Sequence, residues 1–190
     1  MEPVKKIVIF ASGSGTNAAN IIDYFHAKQS AKVQAVFCNK PGAGVLQKAV
    51  ERNVATHVFS KEDWNSGQGI NAQLISYNPD LIVLAGFLWL FPARLLQLFP
   101  DKVVNIHPAL LPAYGGKGMY GEHVHKAVLA NKEKRHGVTV HLVNEEFDKG
   151  KIIAQQDFEV AENETLESIS QKIHAIEYSL FPVAIEKILL

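Results

Sequence analysis

Apolar residues fall in short runs through the first half of the chain. Lys5–Phe10 is rich in Ile and Val and runs out at Gly13, which predicts a buried strand. Val33–Phe37, Thr56–Phe59 and Lys102–Ile106 read as further strands, and Leu81–Ala85 is wholly apolar. A strand with no polar face suits the middle of a parallel sheet covered by helices. Between the strands, helices are predicted from about Asn17, over Val45–Arg52, and over Ile70–Tyr77, the last ended by Pro79. This alternation predicts an α/β fold: a Rossmann-like, doubly wound, mainly parallel sheet.

The second half changes character. Residues 107–121 read as an irregular loop and Glu122–Asn131 as a helix. Gly137–Val143 and Lys151–Val160 are β-like, and the segment between them suits an antiparallel pair joined by a functional loop. From Thr165 onward, Leu166, Ile169, Ile173, Ile176 and Leu180 recur every three or four residues and form one apolar stripe of a helix. Pro182 predicts a kink or an end near Phe181. The expected organisation is one domain over 1–190, with a nucleotide-binding half over about 1–100 and a second half over about 101–190 that carries an antiparallel C-terminal extension.

Composition narrows the function. Lys+Arg and Asp+Glu both number 19, and no basic block occurs. A nucleic-acid partner held by bulk charge is therefore not expected. The single cysteine, Cys38, ends an apolar run and reads as a small buried hydrophobe. Ile7–Ala11 is too short for the core of an export signal, and Leu81–Ala93 is too short to span a bilayer. A cytoplasmic protein with no membrane partner is the expectation. Asn163-Glu164-Thr165 then reads as a helix cap rather than a glycosylation acceptor.

Two segments carry chemistry. Gly13, Ser14, Gly15, Thr16 and Asn17 lie between the first strand and its helix. Glycines let a backbone turn tightly and approach a ligand, and the N–H groups of a helix start favour an anion there. The spacing Gly13-x-Gly15-x-x-Ala18 also fits a dinucleotide fingerprint, but that motif expects an acid about 20 residues on. The second strand ends in Phe37-Cys38-Asn39-Lys40 instead. The second segment, Asn105-Ile106-His107-Pro108, leaves a strand end. Asn105 and His107 alternate along extended chain and so point the same way. An amide and an imidazole so placed suit an oxyanion on a carbonyl carbon.

These residues, with Leu84-Ala85-Gly86-Phe87, Asn105-x-His107-Pro108-x-Leu110-Leu111-Pro112, His136-Gly137-Val138-Thr139-Val140-His141 and Asp148-x-Gly150, give the chain a resemblance over nearly its whole length to the glycinamide ribonucleotide formyltransferases. The resemblance implies transfer of a formyl group from 10-formyltetrahydrofolate to the amine of glycinamide ribonucleotide, a step of purine synthesis. No metal is expected, because the spacing of His123 and His125 does not suit two ligands on one helical face. The resemblance implies Asn105, His107 and Asp148 as catalytic residues. It implies that Gly13, Ser14, Gly15, Thr16, Asn17, Pro108 and Glu177 hold the ribonucleotide. Leu88, Trp89, Leu90 and Phe91 would hold the pterin on one side, with Asn105 and the loop Asn144, Glu145, Glu146, Phe147 and Asp148 on the other. A monomer or a homodimer is compatible with it. A cis Leu111–Pro112 bond is expected from relatives. Two departures stand out: many relatives carry arginine where Trp89 stands, and Lys61–Gly69 is short and lacks their arginine. Gly115–Gly121 is longer than the common loop, and its glycine content predicts mobility. Enzymes formylating methionyl-tRNA, formyltetrahydrofolate hydrolases and a non-catalytic nucleotide-binding module are the alternatives.

Overall fold

The computed structural model describes residues 3–190. Seven strands form one sheet in the order β3-β2-β1-β4-β5-β6-β7, which spans both halves of the chain. The elements run β1 (Lys5–Ala11), α1 (Thr16–Lys28), β2 (Ala31–Cys38), α2 (Gly44–Val50), β3 (Ala55–Val58), α3 (Lys61–Ser66), α4 (Ile70–Tyr77), β4 (Leu81–Leu84), α5 (Ala93–Leu98), β5 (Val103–His107), α6 (Glu122–Ala130), β6 (Arg135–Leu142), β7 (Ile152–Glu159) and α7 (Leu166–Leu189). β1 to β5 pair in parallel, and β6 and β7 add antiparallel. The predicted mainly parallel sheet with an antiparallel C-terminal extension is the observed one.

The pleat divides the core in two. Ile7, Ile9 and Ala11 of β1 pack with Ile21 and Phe25 of α1 and with Ile173 and Phe181 of α7. Val8 and Phe10 point the other way, into an aromatic layer with Phe37, Trp64, Phe87 and Phe91. Phe10 stacks on Phe37 at 5.0 Å and meets Phe91 edge-on at 5.6 Å. Cys38 is fully buried, as expected of a small hydrophobe.

Three points differ from the sequence expectation. α3 and α5 are helices that hydrophobic periodicity did not reveal, being only six residues each. α3 does carry a local signal: Ser60 accepts from the Asp63 N–H, and Asp63 reaches back to the Ser60 N–H. The third point is Pro182, which neither ends α7 nor interrupts it. Proline lacks the N–H that would bond the carbonyl four residues back. That carbonyl, on Tyr178, accepts instead from Asn20 Nδ2 of α1 at 2.9 Å. The helix start at Thr165 is as read, with its hydroxyl accepting from Ser168 N–H at 3.1 Å.

The strand order reverses between β1 and β4. Ligands of open α/β sheets bind beyond the strand ends at such a point. Here the two loops are sewn together: Ser12 N–H donates to Gly86 O at 3.1 Å, and Leu88 N–H donates to Ser12 Oγ at 3.1 Å.

Candidate active site

A cavity of about 550 Å³ opens at this switch point. The glycine loop forms one wall. Gly15 has φ 75°, and a Cβ there would lie 2.4 Å from the Val45 Cβ. Only glycine lets the loop pass that close to α2 while turning left-handed. Lys48 Nζ donates to Ser14 O at 2.9 Å and fixes the loop from outside. α1 begins at Thr16 without a side-chain cap and with no acid in its first turn. Its first N–H groups are thus available to an anion, and no acid of the helix's own first turn opposes one.

The second wall comes from β5, β6 and the turn before β7. Asn105 and His107 do point the same way. Asn105 pairs directly with His141 across the β5–β6 ladder, and His107 pairs with Thr139. This pairing puts Asn105 Nδ2 3.1 Å from His141 Nε2. Asp148 arrives from the β6–β7 turn with φ 58°. The turn presses onto β6 so tightly that a Cβ on Gly150 would sit 1.6 Å from Leu142 O. That is the physical content of the Asp148-x-Gly150 pairing: an aspartate can hold a left-handed conformation, and glycine supplies the close return.

The Asp148 carboxylate gathers the site. Its Oδ2 lies 3.5 Å from His107 Nδ1 and accepts from Gly116 N–H at 2.9 Å. Its Oδ1 lies 3.5 Å from both His141 Nε2 and Asn105 Nδ2. Burial opposes the carboxylate charge. The contact with His141, the proximity of His107 and the Gly116 N–H together outweigh burial and hold its pKa below the ordinary value. His107 is buried, and its Nε2 meets Tyr114 O at 2.8 Å. A carbonyl only accepts, so Nε2 carries the hydrogen and Nδ1 of the neutral ring presents its lone pair toward Asp148. Burial lowers the His107 pKa, against the pull of Asp148 and Tyr114 O. The lowered pKa favours the neutral ring, with a carboxylate beside the one nitrogen that can take a proton.

Glu177 is buried at the other end of the cavity. Its Oε2 accepts from Asn17 Nδ2 at 3.0 Å and faces His174 Nδ1 at 3.2 Å. Glu177 raises the His174 pKa by this hydrogen bond, more than burial lowers it. Asn17 Oδ1 is buried without a partner.

Most residues expected at the site line this one cavity: Gly13 to Asn17, Leu88 to Phe91, Asn105, His107, Pro108, Glu146 to Asp148 and Glu177. Asn144 and Glu145 do not. Asn144 Oδ1 accepts from Glu146 N–H at 3.1 Å, so it shapes the turn instead. His141, His174 and Tyr114 enter the site without having been assigned to it. For His141 the signal was present, because an antiparallel β5–β6 pair sets it opposite Asn105. Trp89, the departure noted above, has Lys61 Nζ 4.2 Å over its ring. The glycine-rich loop lines the cavity from Gly116 to Gly121, and its start is tied down by the Gly116 and Tyr114 bonds. Leu111–Pro112 is cis. Buried His125 pairs with buried His136 at 3.0 Å. Among the described residues no group of three His, Cys, Asp or Glu could hold a metal ion, and no helix is long and apolar enough to cross a membrane.

Comparison with known proteins shows the family and the fold. A formyl transferase family model matches residues 5–185. The chain is 36% identical over 191 residues to phosphoribosylglycinamide formyltransferase of Bacillus subtilis, covering 98% of this chain and 95% of that protein. It is 38% identical over 183 residues to the chloroplastic phosphoribosylglycinamide formyltransferase of Arabidopsis thaliana, covering 93% of this chain but 63% of that longer protein. The crystal structure of phosphoribosylglycinamide formyltransferase from Bacillus halodurans superposes with a TM-score of 0.88 at 36% identity, covering 97% of this chain and 95% of the other. The chain belongs to the formyl transferase family and, within it, to the phosphoribosylglycinamide formyltransferases.

Proposed function

We propose that this cavity transfers a formyl group from 10-formyltetrahydrofolate to the amine of glycinamide ribonucleotide, with Asn105, His107 and Asp148 carrying the chemistry. The observation that supports this most is the position of the Asp148 carboxylate, 3.5 Å from His107 Nδ1 although it comes from the β6–β7 turn and His107 from the end of β5. The folate supplies an activated carbonyl carbon. The residues that would hold its flat ring fit such a group: Leu88, Trp89, Leu90 and Phe91 on one side and Phe147 on the other, along the wall of the cavity.

The other end suits the ribonucleotide. The N–H groups at the start of α1, with the hydroxyls of Ser14 and Thr16, would take its phosphate. The unpartnered Asn17 Oδ1 and the Glu177 carboxylate can accept from its amide, amine or hydroxyl groups. The amine then lies between Glu177 and the Asn105–His107 pair. As it attacks the formyl carbon, a carbon–nitrogen bond forms and the carbonyl electron pair moves onto oxygen. One Asn105 N–H is committed to His141 at 3.1 Å, while the second reaches Asp148 only at 3.5 Å. That second N–H is the donor available to the oxyanion. His107 Nδ1 takes the proton the amine must lose, giving an imidazolium that donates to Tyr114 O and faces Asp148. The same proton is then available to the departing nitrogen when the electron pair returns and the old carbon–nitrogen bond breaks.

A direct test offers three acceptors with the same formyl donor: glycinamide ribonucleotide, methionyl-tRNA and water. Formylation of the ribonucleotide on the order of a hundredfold faster than either alternative is expected. Equal or faster transfer to methionyl-tRNA or water would overturn the assignment.

A further inference from the structure

We propose that Asn20 is a positioning residue for ribonucleotide recognition, because it replaces the backbone donor that Pro182 removes from α7. The inference rests on the reading above, in which Glu177 holds the ribonucleotide. In an α-helix each N–H bonds the carbonyl four residues earlier. Pro182 has none, so the Tyr178 carbonyl loses its helical partner, and the proline ring crowds that same carbonyl. Tyr178 directly follows Glu177. A helix frayed here would release the carboxylate that faces the substrate.

α1 supplies the remedy. Asn20 Nδ2 donates to Tyr178 O at 2.9 Å. One turn earlier on the same helix, Asn17 Nδ2 donates to Glu177 Oε2 at 3.0 Å. Residues three apart on a helix share a face. Two amides of α1 thus hold two consecutive residues of α7, one by its side chain and one by its backbone. One turn further along, Tyr24 OH donates to Glu186 Oε2 at 2.6 Å. That third clamp lies beyond Pro182 and keeps the end of α7 on α1 when Asn20 is altered. Loss of the Asn20 bond is therefore local to the turn that carries Glu177. Water could also satisfy the Tyr178 carbonyl, but it would not tie that carbonyl to the helix that carries Asn17.

The test is a cycle of variants read by steady-state kinetics and thermal unfolding. Asn20→Ala, and Asn20→Asp, which keeps the shape without the donor, should each raise KM for the ribonucleotide about three- to tenfold, the range of one neutral hydrogen bond. kcat and KM for the formyl donor should stay within about twofold. Pro182→Ala gives position 182 an N–H that reaches Tyr178 O within the helix. Alone it should change little. In the Asn20→Ala background it should bring the ribonucleotide KM back to within about twofold of the parent. A general packing role for Asn20 would lower the melting temperature, affect both substrates, and gain nothing from Pro182→Ala. Unchanged ribonucleotide KM in both Asn20 variants overturns the proposal, as does a double variant that keeps the raised KM. Glu177→Gln separates the two readings. If it leaves ribonucleotide KM unchanged, the Glu177 assignment fails. If it raises KM while the Asn20 variants do not, only the Asn20 proposal fails.

Discussion

Asn17 and Glu177 sit at opposite ends of the sequence, yet the amide of one donates to the carboxylate of the other at 3.0 Å inside the cavity. The bond spends the Asn17 N–H on Glu177 and leaves Asn17 Oδ1, buried and unpartnered, for a ligand donor. On the proposed reading, a ribonucleotide amide N–H would satisfy that oxygen. Buried polar atoms left without a partner are rare, and a ligand is one way they are resolved.

Glu177→Gln keeps the shape and removes the charge. We expect the ribonucleotide KM to rise about tenfold to a hundredfold, as for loss of a charge-assisted hydrogen bond. kcat should stay within about threefold, because Glu177 bonds Asn17 and His174 and makes no hydrogen bond to Asn105, His107 or Asp148. Steady-state kinetics with each substrate varied in turn checks this. A fall in kcat of the same size would move Glu177 from binding into the chemistry.

Gly15→Ala places a Cβ 2.4 Å from Val45 Cβ at a backbone with φ 75°. The loop must shift, and strain at such a position costs about 1–3 kcal/mol. A lower urea midpoint and a weaker ribonucleotide Kd by calorimetry are expected together. Unchanged affinity in a folded Gly15→Ala protein would separate the loop from the phosphate.

The buried His125–His136 pair makes stability depend on pH. One ring must donate across the 3.0 Å contact and the other accept, which neutral rings do. Burial first, then the charges His125 and His107 would carry, hold the His136 pKa at about 4 against an ordinary 6.5. Burial also lowers that of His125. In this window the unfolded chain binds protons that the folded chain does not. Stability is thus full above pH 6.5 and falls as pH drops toward 4, by at most roughly 3 kcal/mol from His136. Urea midpoints measured from pH 7.5 to 4.5 should fall less steeply in His136→Gln than in the parent. Parallel slopes would show that the pair does not titrate on unfolding.

The sheet was legible because its signal is local. Leu81–Leu84 is apolar on both faces, and β1 and β2 carry similar runs in Ile7–Ala11 and Ala35–Cys38. The two six-residue helices were not, because six residues do not complete two turns of periodicity. α7 does not end at Pro182 for a different reason: the outside donor, Asn20, lies on another helix, and a rule about proline read along one segment of sequence does not include it. The site divides similarly. Asn105 and His107 follow from alternation on one strand. Asp148 and Glu177 came from the family resemblance, since only tertiary folding brings either to the cavity. His141 needed the β5–β6 register, and Asn144 lines a turn rather than the cavity because its side chain closes on the Glu146 N–H.

Asp148→Asn is the most direct test of the account. The amide keeps the shape of the side chain but cannot balance an imidazolium at His107 Nδ1. With both substrates saturating, the rate of formyl transfer should fall about a hundredfold to ten-thousandfold, while the ribonucleotide Kd stays within about threefold. A variant that turns over at the parent rate would contradict the claim that this carboxylate and ring carry the transfer.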